Sequence, residues 1–319
     1  MWTPSGRRCG SSSRPAPEVT VGSQRSRWIW PGFALPGVLW LAFLFLVPLY
    51  VVLSLAFGTL DPIFRSPIPE WNPLQWDTTQ VSFVFSHIFG DDGIFGPAIV
   101  RTVVFVLLAS VGCLLISYPV AYFVCRFGGR RKGLLLALLI APFWISYMMR
   151  MLAWVNLLQT DGWVNKALSA GGIFPVHVAW LDGRPSTVVM GLIYGYVPYM
   201  ILPLYAGLDR IEPSLIEAAR DLGASRWSTF RQVTLPMSKP AVIASLLLVT
   251  LPMVGDYFTN DLLSGSPSTS MYGNLINNAI LVPALVGQGA TFLIIMFIVL
   301  LIPMIYYVRA TARAEGETV

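Results

Sequence analysis

An all-α integral membrane protein is the fold class this sequence predicts, and three features of its 319 residues predict it. Hydrophobic residues make up 55% of the chain and charged ones only 12%, with a mean hydropathy of +0.66, an apolar surface that a soluble chain of this length could not cover. Six apolar stretches reach the roughly 20 residues needed to cross a hydrocarbon core of about 30 Å. None of them shows the ten-residue apolar/polar alternation of a membrane barrel, and backbone amides facing lipid must be satisfied within their own segment, so helices are expected.

Residues 1–27 are rich in Ser, Pro, Gly and Arg without apolar periodicity, and disorder is expected there. The first span, 30–57, is longer than the apolar core of about 7–15 residues in a signal peptide and is followed by no small-residue cleavage site, so it reads as an uncleaved membrane helix. Further spans are expected at 98–123, 134–158, 187–208, 241–263 and 291–308, giving a six-helix domain over 28–310 and a short tail at 311–319. Sixteen of the 21 Lys and Arg residues fall in the amino-terminal tail, at 126–132, at 210–239 and after the last span. Short cytoplasmic loops are enriched in these residues, which places both termini in the cytoplasm and 58–97, 159–186 and 264–290 outside. That asymmetry accounts for the net charge of +5 as a topology signal, and no nucleic-acid partner is expected.

The outer segment 58–97 mixes Trp71, Trp76, Phe83, Phe85 and Phe89 with Asp61, Glu70, Asp77, Asp91 and Asp92, a composition suited to an aromatic belt or to meeting a soluble partner. Cys9, Cys113 and Cys125 form no disulfide framework and have no metal spacing. His87 and His177 lie in outer loops without a Cys or His partner, so no metal site is expected. No run of Gly, four residues, Gly-Lys-Ser/Thr occurs to cradle phosphates, and no span contains a His beside a nucleophile. Catalysis by this chain, ATP hydrolysis included, is therefore not expected, and it binds no cofactor in this reading.

The charge-rich loop 209–240 lies between the fourth and fifth spans. Ser214 with Glu217 three residues on has the spacing of a capping box, Gly223 allows a reversal, and Trp227 and Phe230 follow on an amphipathic piece. Pro236 and Pro240 are expected to reset the chain into the fifth span. Glu217-Ala218-Ala219, three residues, Gly223, nine residues, Val233, one residue and Leu235-Pro236 resemble the EAA loop of ABC importer permeases, with Val where the pattern has Ile. That resemblance covers roughly 30–308 and implies a type I importer permease fold in the bacterial cytoplasmic (inner) membrane. In such permeases the loop docks onto a cytoplasmic ATPase, so Glu217, Ala218, Ala219, Asp221, Gly223, Leu235 and Pro236 are the implied coupling residues. The partners it implies are a second permease, two ATPase copies that hold ATP and Mg²⁺, and an extracytoplasmic binding protein.

Gly255-Asp256-Tyr257-Phe258 through Asp261-Leu262-Leu263-Ser264-Gly265 is similar to a stretch of spermidine/putrescine permeases, as are Pro142-Phe143-Trp144 and Arg150 through Trp154. Asp261 stands where that pattern commonly has Glu, and Tyr257 where it has Phe. The resemblance implies a polyamine cargo, with a sugar, a phosphonate or a metal complex as the alternative. A secondary transporter or a membrane enzyme is the more distant one. Charges inside a membrane span cost about 2.5–3.5 kcal/mol on insertion scales, so Asp256 and Arg150 need a reason to be there. Counted from their helix starts they reach similar depth, which predicts either an ion pair or contact with cargo. Tyr194, Tyr196 and Tyr199 can offer faces to an ammonium, while Gly191 and Gly195 read as a close-packing face. The candidate path is thus Asp256, Asp261, Tyr257, Arg150, Trp154, Tyr194, Tyr196 and Tyr199.

Overall fold

Apolar runs of this length fold as helices, and helices make up most of the computed structural model. It describes residues 29–63, 66–89, 93–170 and 178–316, with side chains described from 33 to 309. The tail at 1–27, and with it Cys9, lies outside the described residues, as do Arg65, Asp91, Asp92 and His177. In chain order the helices are α1 (Ile29–Ala56), α2 (Thr79–Phe89), α3 (Gly96–Phe127), α4 (Lys132–Ile140), α5 (Tyr147–Leu158), α6 (Trp163–Ala170) and α7 (Pro185–Asp209). Then come α8 (Pro213–Asp221), α9 (Arg226–Thr229), α10 (Leu235–Val254), α11 (Phe258–Leu263), α12 (Tyr272–Leu281) and α13 (Val286–Gly316). Contacts divide the chain into two units, one ending at Leu49 and one running from Tyr50 onward.

Among the described residues, five straight stretches are long and apolar enough to cross a membrane: Phe33–Ala56, Gly96–Phe127, Pro185–Asp209, Arg226–Val254 and Pro283–Arg309. Within the second unit, α3, α7 and α10 share a core containing Ala109, Cys113, Leu192, Met200, Leu204 and Met253. Small residues let these helices approach, as they do in membranes generally. A Cβ on Gly207 would come within 2.1 Å of the Ala241 Cβ, and one on Gly112 within 2.4 Å of the Ile193 Cδ1. The Ser117 hydroxyl donates to the Val197 carbonyl at 3.1 Å and ties α3 to α7.

Two of the six expected spans are reshaped. The span at 134–158 is Gly129–Trp144 followed by Tyr147–Leu158, bent by 80°. Pro142 has no N–H to continue α4, so the chain tightens into a 3₁₀ turn over Ala141–Trp144 and turns extended at Ile145. The fifth span begins and ends earlier than 241–263. Its helix is continuous from Arg226 to Val254, with a π-helical turn over Phe230–Thr234 directly ahead of Pro236. The two prolines therefore do not interrupt it; the wider turn accommodates the ring and the missing donor. At the other end Gly255 closes α10, and the Asp256 carboxylate accepts the Thr259 backbone N–H at 3.0 Å to start α11. Asp256 thus sits in a helix break and not inside a helix.

The segment expected outside, 58–97, has structure of its own in its described residues. A short hairpin pairs β1 (Thr59–Leu60) with β2 (Pro67–Ile68), Trp76 stacks on Phe57 at 4.7 Å, and Asp77 accepts the N–H and hydroxyl of Thr79 at the start of α2. The Thr79 hydroxyl, and then its amide, hold the Asp77 carboxyl below its usual range.

Candidate functional site

Two regions gather the residues that the sequence singled out. The first is the loop between α7 and α10. Glu212 is the N-cap of α8 but makes no side-chain cap, and Ser214 Oγ donates to the Glu212 carboxylate at 3.2 Å. The Ser214–Glu217 capping box does not form, because Pro213 takes the first helical position and shifts the cap back by two residues. Gly223 has φ +90°, and the N–H groups of Gly223 and Ala224 reach the carbonyls of Arg220 and Ala219 at 2.9 and 3.1 Å. That pair of bonds is a Schellman ending, which needs a left-handed residue at Gly223. The chain reverses, and Ser225 caps α9 by accepting the Ser228 N–H at 3.2 Å.

Phe230 anchors this hairpin of helices. Its ring meets Tyr118 and Tyr122 of α3 edge-on at 5.9 and 5.6 Å and stacks on Trp227 at 5.5 Å. Ile216 packs inward, while Glu217, Ala218 and Asp221 are exposed, Ala219 is half-buried, and Leu222 and Trp227 are 90% and 69% exposed. Leu235 and Pro236 lie exposed at the start of α10, where helix 226–254 continues. The result is an exposed platform with an apolar tip, fastened by aromatic contacts to α3.

The second region lies where α5, α7 and α11 meet. Asp256 is 8% exposed, and its Oδ2 accepts from Tyr147 Oη at 3.1 Å, Tyr196 Oη at 3.2 Å and Thr259 Oγ1 at 2.7 Å. Tyr147 Oη is also 2.5 Å from Thr259 Oγ1. These hydrogen bonds satisfy the polar atoms of a carboxylate that has left water. Arg150 is 6% exposed, and it forms no ion pair with Asp256: among the described residues the ion pair is Lys132–Asp209, at 2.7 Å. The 80° bend ahead of α5 and the break at Gly255 undo the depth count that suggested a pair. The Arg150 guanidinium carbon instead lies 4.3 Å from the ring centre of Phe143, 5.5 Å from Tyr147 and 5.9 Å from Tyr194.

Tyr147, which the sequence reading passed over, is therefore the hub. Its ring lies near Arg150 and its hydroxyl on Asp256. It stands three residues before Arg150, so asking which side chains share a helical face with the buried charge would have found it. Gly195 makes room for it, since a Cβ there would lie 2.7 Å from Tyr147 Cε2. Gly191 does the same for Leu263 and Thr259 of α11, at 2.3 and 2.8 Å. Trp154 meets Tyr194 edge-on at 5.3 Å, and Tyr199, 51% exposed, lies 6.3 Å from Tyr196.

Two candidates fall elsewhere. Tyr257 turns to Phe258, at 4.6 Å, and its carbonyl accepts from Asn274. Asp261 accepts from Asn274 Nδ2 at 2.6 Å and lines a separate polar cavity of about 320 Å³ with Arg101, Asn260 and Asn278.

A family model described as the inner membrane component of binding-protein-dependent transport systems matches residues 114–315, which contain both regions. The chain belongs to this family. It is 33% identical over 222 residues to the spermidine/putrescine transport system permease protein PotB of Escherichia coli K12, covering 69% of this chain and 79% of that one. The PotB of Haemophilus influenzae is 30% identical over 273 residues, covering 85% of this chain and 90% of that one. Among solved structures, a bacterial ABC transporter that imports the acidic polysaccharide alginate superposes with a TM-score of 0.69 at 19% identity, over 90% of this chain and 96% of that one. A second alginate transporter structure, in complex with a pentasaccharide-bound periplasmic protein, gives 0.68 at 20%, over 90% and 95%. At these identities the structures establish the fold of an ABC importer permease. The chain is thus a multi-pass inner-membrane importer permease.

Proposed function

We propose that this permease carries a small polyamine, spermidine or putrescine, and forms one half of the path that the cargo takes. The observation that carries the assignment is the buried Asp256, an uncompensated carboxylate ringed by the hydroxyls of Tyr147 and Tyr196 and close to further aromatic faces. A carboxylate with π faces suits an alkylammonium, whose charge must be matched wherever the path excludes water. The names of the PotB relatives support the same cargo. A second permease completes the path and an extracytoplasmic binding protein delivers the cargo. Two copies of an ATPase hold ATP and Mg²⁺ and grip the 209–240 loop from the cytoplasm through Glu217, Ala218, Ala219, Asp221 and Gly223. Both termini then lie in the cytoplasm, as the distribution of Lys and Arg supports.

The test is uptake of labelled putrescine and spermidine by the assembled importer in proteoliposomes, with Asp256→Asn beside the wild type. ATP-dependent uptake that falls at least roughly tenfold in Asp256→Asn, equivalent to about 1.4 kcal/mol, is expected. Transport of a sugar, a phosphonate or a metal complex without polyamine uptake would overturn the cargo, and undiminished uptake in Asp256→Asn would remove that carboxylate from the path.

A further inference from the structure

Arg150 is held in an unusual way. Burial of a guanidinium is ordinarily accompanied by carboxylate or carbonyl acceptors, because unpaired buried charge is costly. Here Nε and Nη1 are buried and have no hydrogen-bond partner. What surrounds the cation is aromatic: Phe143 from the 3₁₀ turn, Tyr147 from its own helix and Tyr194 from α7, all with ring centres within 6 Å of the guanidinium carbon. Three rings drawn from three elements around one cation, with no acceptor at Nε or Nη1, are the recognition geometry for an organic ammonium. Tyr147 joins this box to Asp256 through its hydroxyl, so the box and the carboxylate share a wall.

We propose that Phe143, Tyr147 and Tyr194 form a binding box for an organic cation, and that Arg150 fills it in this conformation as a tethered stand-in. The ligand class is an alkylammonium or alkylguanidinium. Its identification with the cargo rests on the polyamine reading above. Passage of an ammonium past Asp256 then requires Arg150 to leave the box. The missing hydrogen bonds on Nε and Nη1 favour that departure, because leaving breaks no directional contact at those two atoms.

The test uses the full-length permease, assembled with its partners in nanodiscs, carrying Arg150→Ala to vacate the box. Millimolar N-propylguanidinium should raise the unfolding midpoint of Arg150→Ala, since a ligand that binds only the folded state stabilises it. It should leave the wild type unmoved, and the neutral N-propylurea should do nothing in either. Adding Phe143→Leu to Arg150→Ala should weaken the response roughly 2- to 30-fold, the range equivalent to about 0.5–2 kcal/mol for a cation–π contact. An equal response to the urea and the guanidinium, or none to either, overturns the box. If Arg150→Ala does not assemble, Arg150→Met replaces it. If neither assembles, Phe143→Leu in the otherwise wild-type importer decides: a raised KM for putrescine supports the box, and an unchanged KM overturns it. Binding of propylguanidinium but not of putrescine by Arg150→Ala upholds the box and discards the polyamine cargo, whereas putrescine uptake with no cation binding in Arg150→Ala discards the box alone.

Discussion

Substituting Gly195 by Ala tests the central packing arrangement with a single carbon atom. The added Cβ would lie 2.7 Å from Tyr147 Cε2 and 2.9 Å from its Oη, so the ring must move or α7 must retreat. Overpacking of this kind costs about 1–3 kcal/mol. The ring's displacement also strains its hydrogen bond to Asp256, and interhelical hydrogen bonds within membranes measure about 0.6 kcal/mol, with a maximum near 1.7. Steric strain therefore dominates, and the expected loss is about 1–3 kcal/mol with a smaller contribution from Asp256. SDS-driven unfolding in mixed micelles gives the loss, and Gly133→Ala supplies the control, because nothing lies within 4 Å of a Cβ there. That control should be neutral, or stabilising by up to about 1 kcal/mol. Pairing Gly195→Ala with Tyr147→Leu, which removes both clashing atoms, should recover part of the loss and give a coupling energy of about 0.5–3 kcal/mol in a double-mutant cycle. Strict additivity, or a Gly195→Ala protein as stable as the Gly133→Ala control, would refute the placement of Tyr147 against α7.

Gly223→Val puts a β-branched residue at φ +90° and should cost about 1–3 kcal/mol locally, while Gly223→Asn costs less; the permease should still insert but lose co-purification with its ATPase, and retained co-purification would count against a docking role. Phe230→Ala removes the contacts to Tyr118 and Tyr122 and should loosen the loop, read as faster amide exchange over 213–229 with exchange in α7 unchanged. Cysteines placed at Ser66 and Ser228 should be labelled from outside at 66 only; the reverse pattern inverts the topology. Asp77 has a lowered carboxyl pKa when folded, so its cap stabilises the start of α2 above the ordinary aspartate value and is lost as pH falls through the lowered one; exchange protection at Ser82 should fall in that acid window, and a flat profile would mean that the cap contributes nothing.

Hydropathy made the number and approximate position of the spans legible, because lipid imposes length and composition on each of them. It could not place the breaks. The average over 241–263 runs straight through Gly255 and Asp256, although a Gly followed by a capping Asp is a stop and a start in local chemistry. Pro142 carried the corresponding signal in the third span. The platform around Gly223 was legible because a positive φ leaves its mark on sequence, whereas Phe230's hold on α3 depends on a distant pair of tyrosines. Arg150 and Asp256 stood out as charges in apolar runs, but depth counted along two straight helices paired them wrongly. Tyr147 was not weighed, because a tyrosine in a membrane helix carries no compositional surprise.

The continuity of the helix from Arg226 to Val254 bears on how the two regions communicate. Had the prolines broken it, movement of the loop would have been absorbed at the break. Instead, Arg226 and Val254 are the ends of 29 residues of helix, roughly 43 Å at about 1.5 Å per residue. Two local features decide what such a rod can transmit. The π turn at Phe230–Thr234 is packed against Tyr118 and Tyr122, so it pivots on α3 and does not slide freely. The far end stops at Gly255, one residue before the carboxylate that Tyr147 and Tyr196 hold. A tilt of a few degrees about the pivot displaces that end by an ångström or two, enough to lengthen hydrogen bonds of 3.1 and 3.2 Å beyond the range in which they hold. The acid centre therefore lies at the end of the helix opposite the loop. Any change that softens the rod between those points, such as a glycine at Leu247, should uncouple ATP hydrolysis from uptake while leaving both the loop and the acid centre intact. Hydrolysis and uptake measured in one preparation would show it, and proportional loss of both would refute the lever.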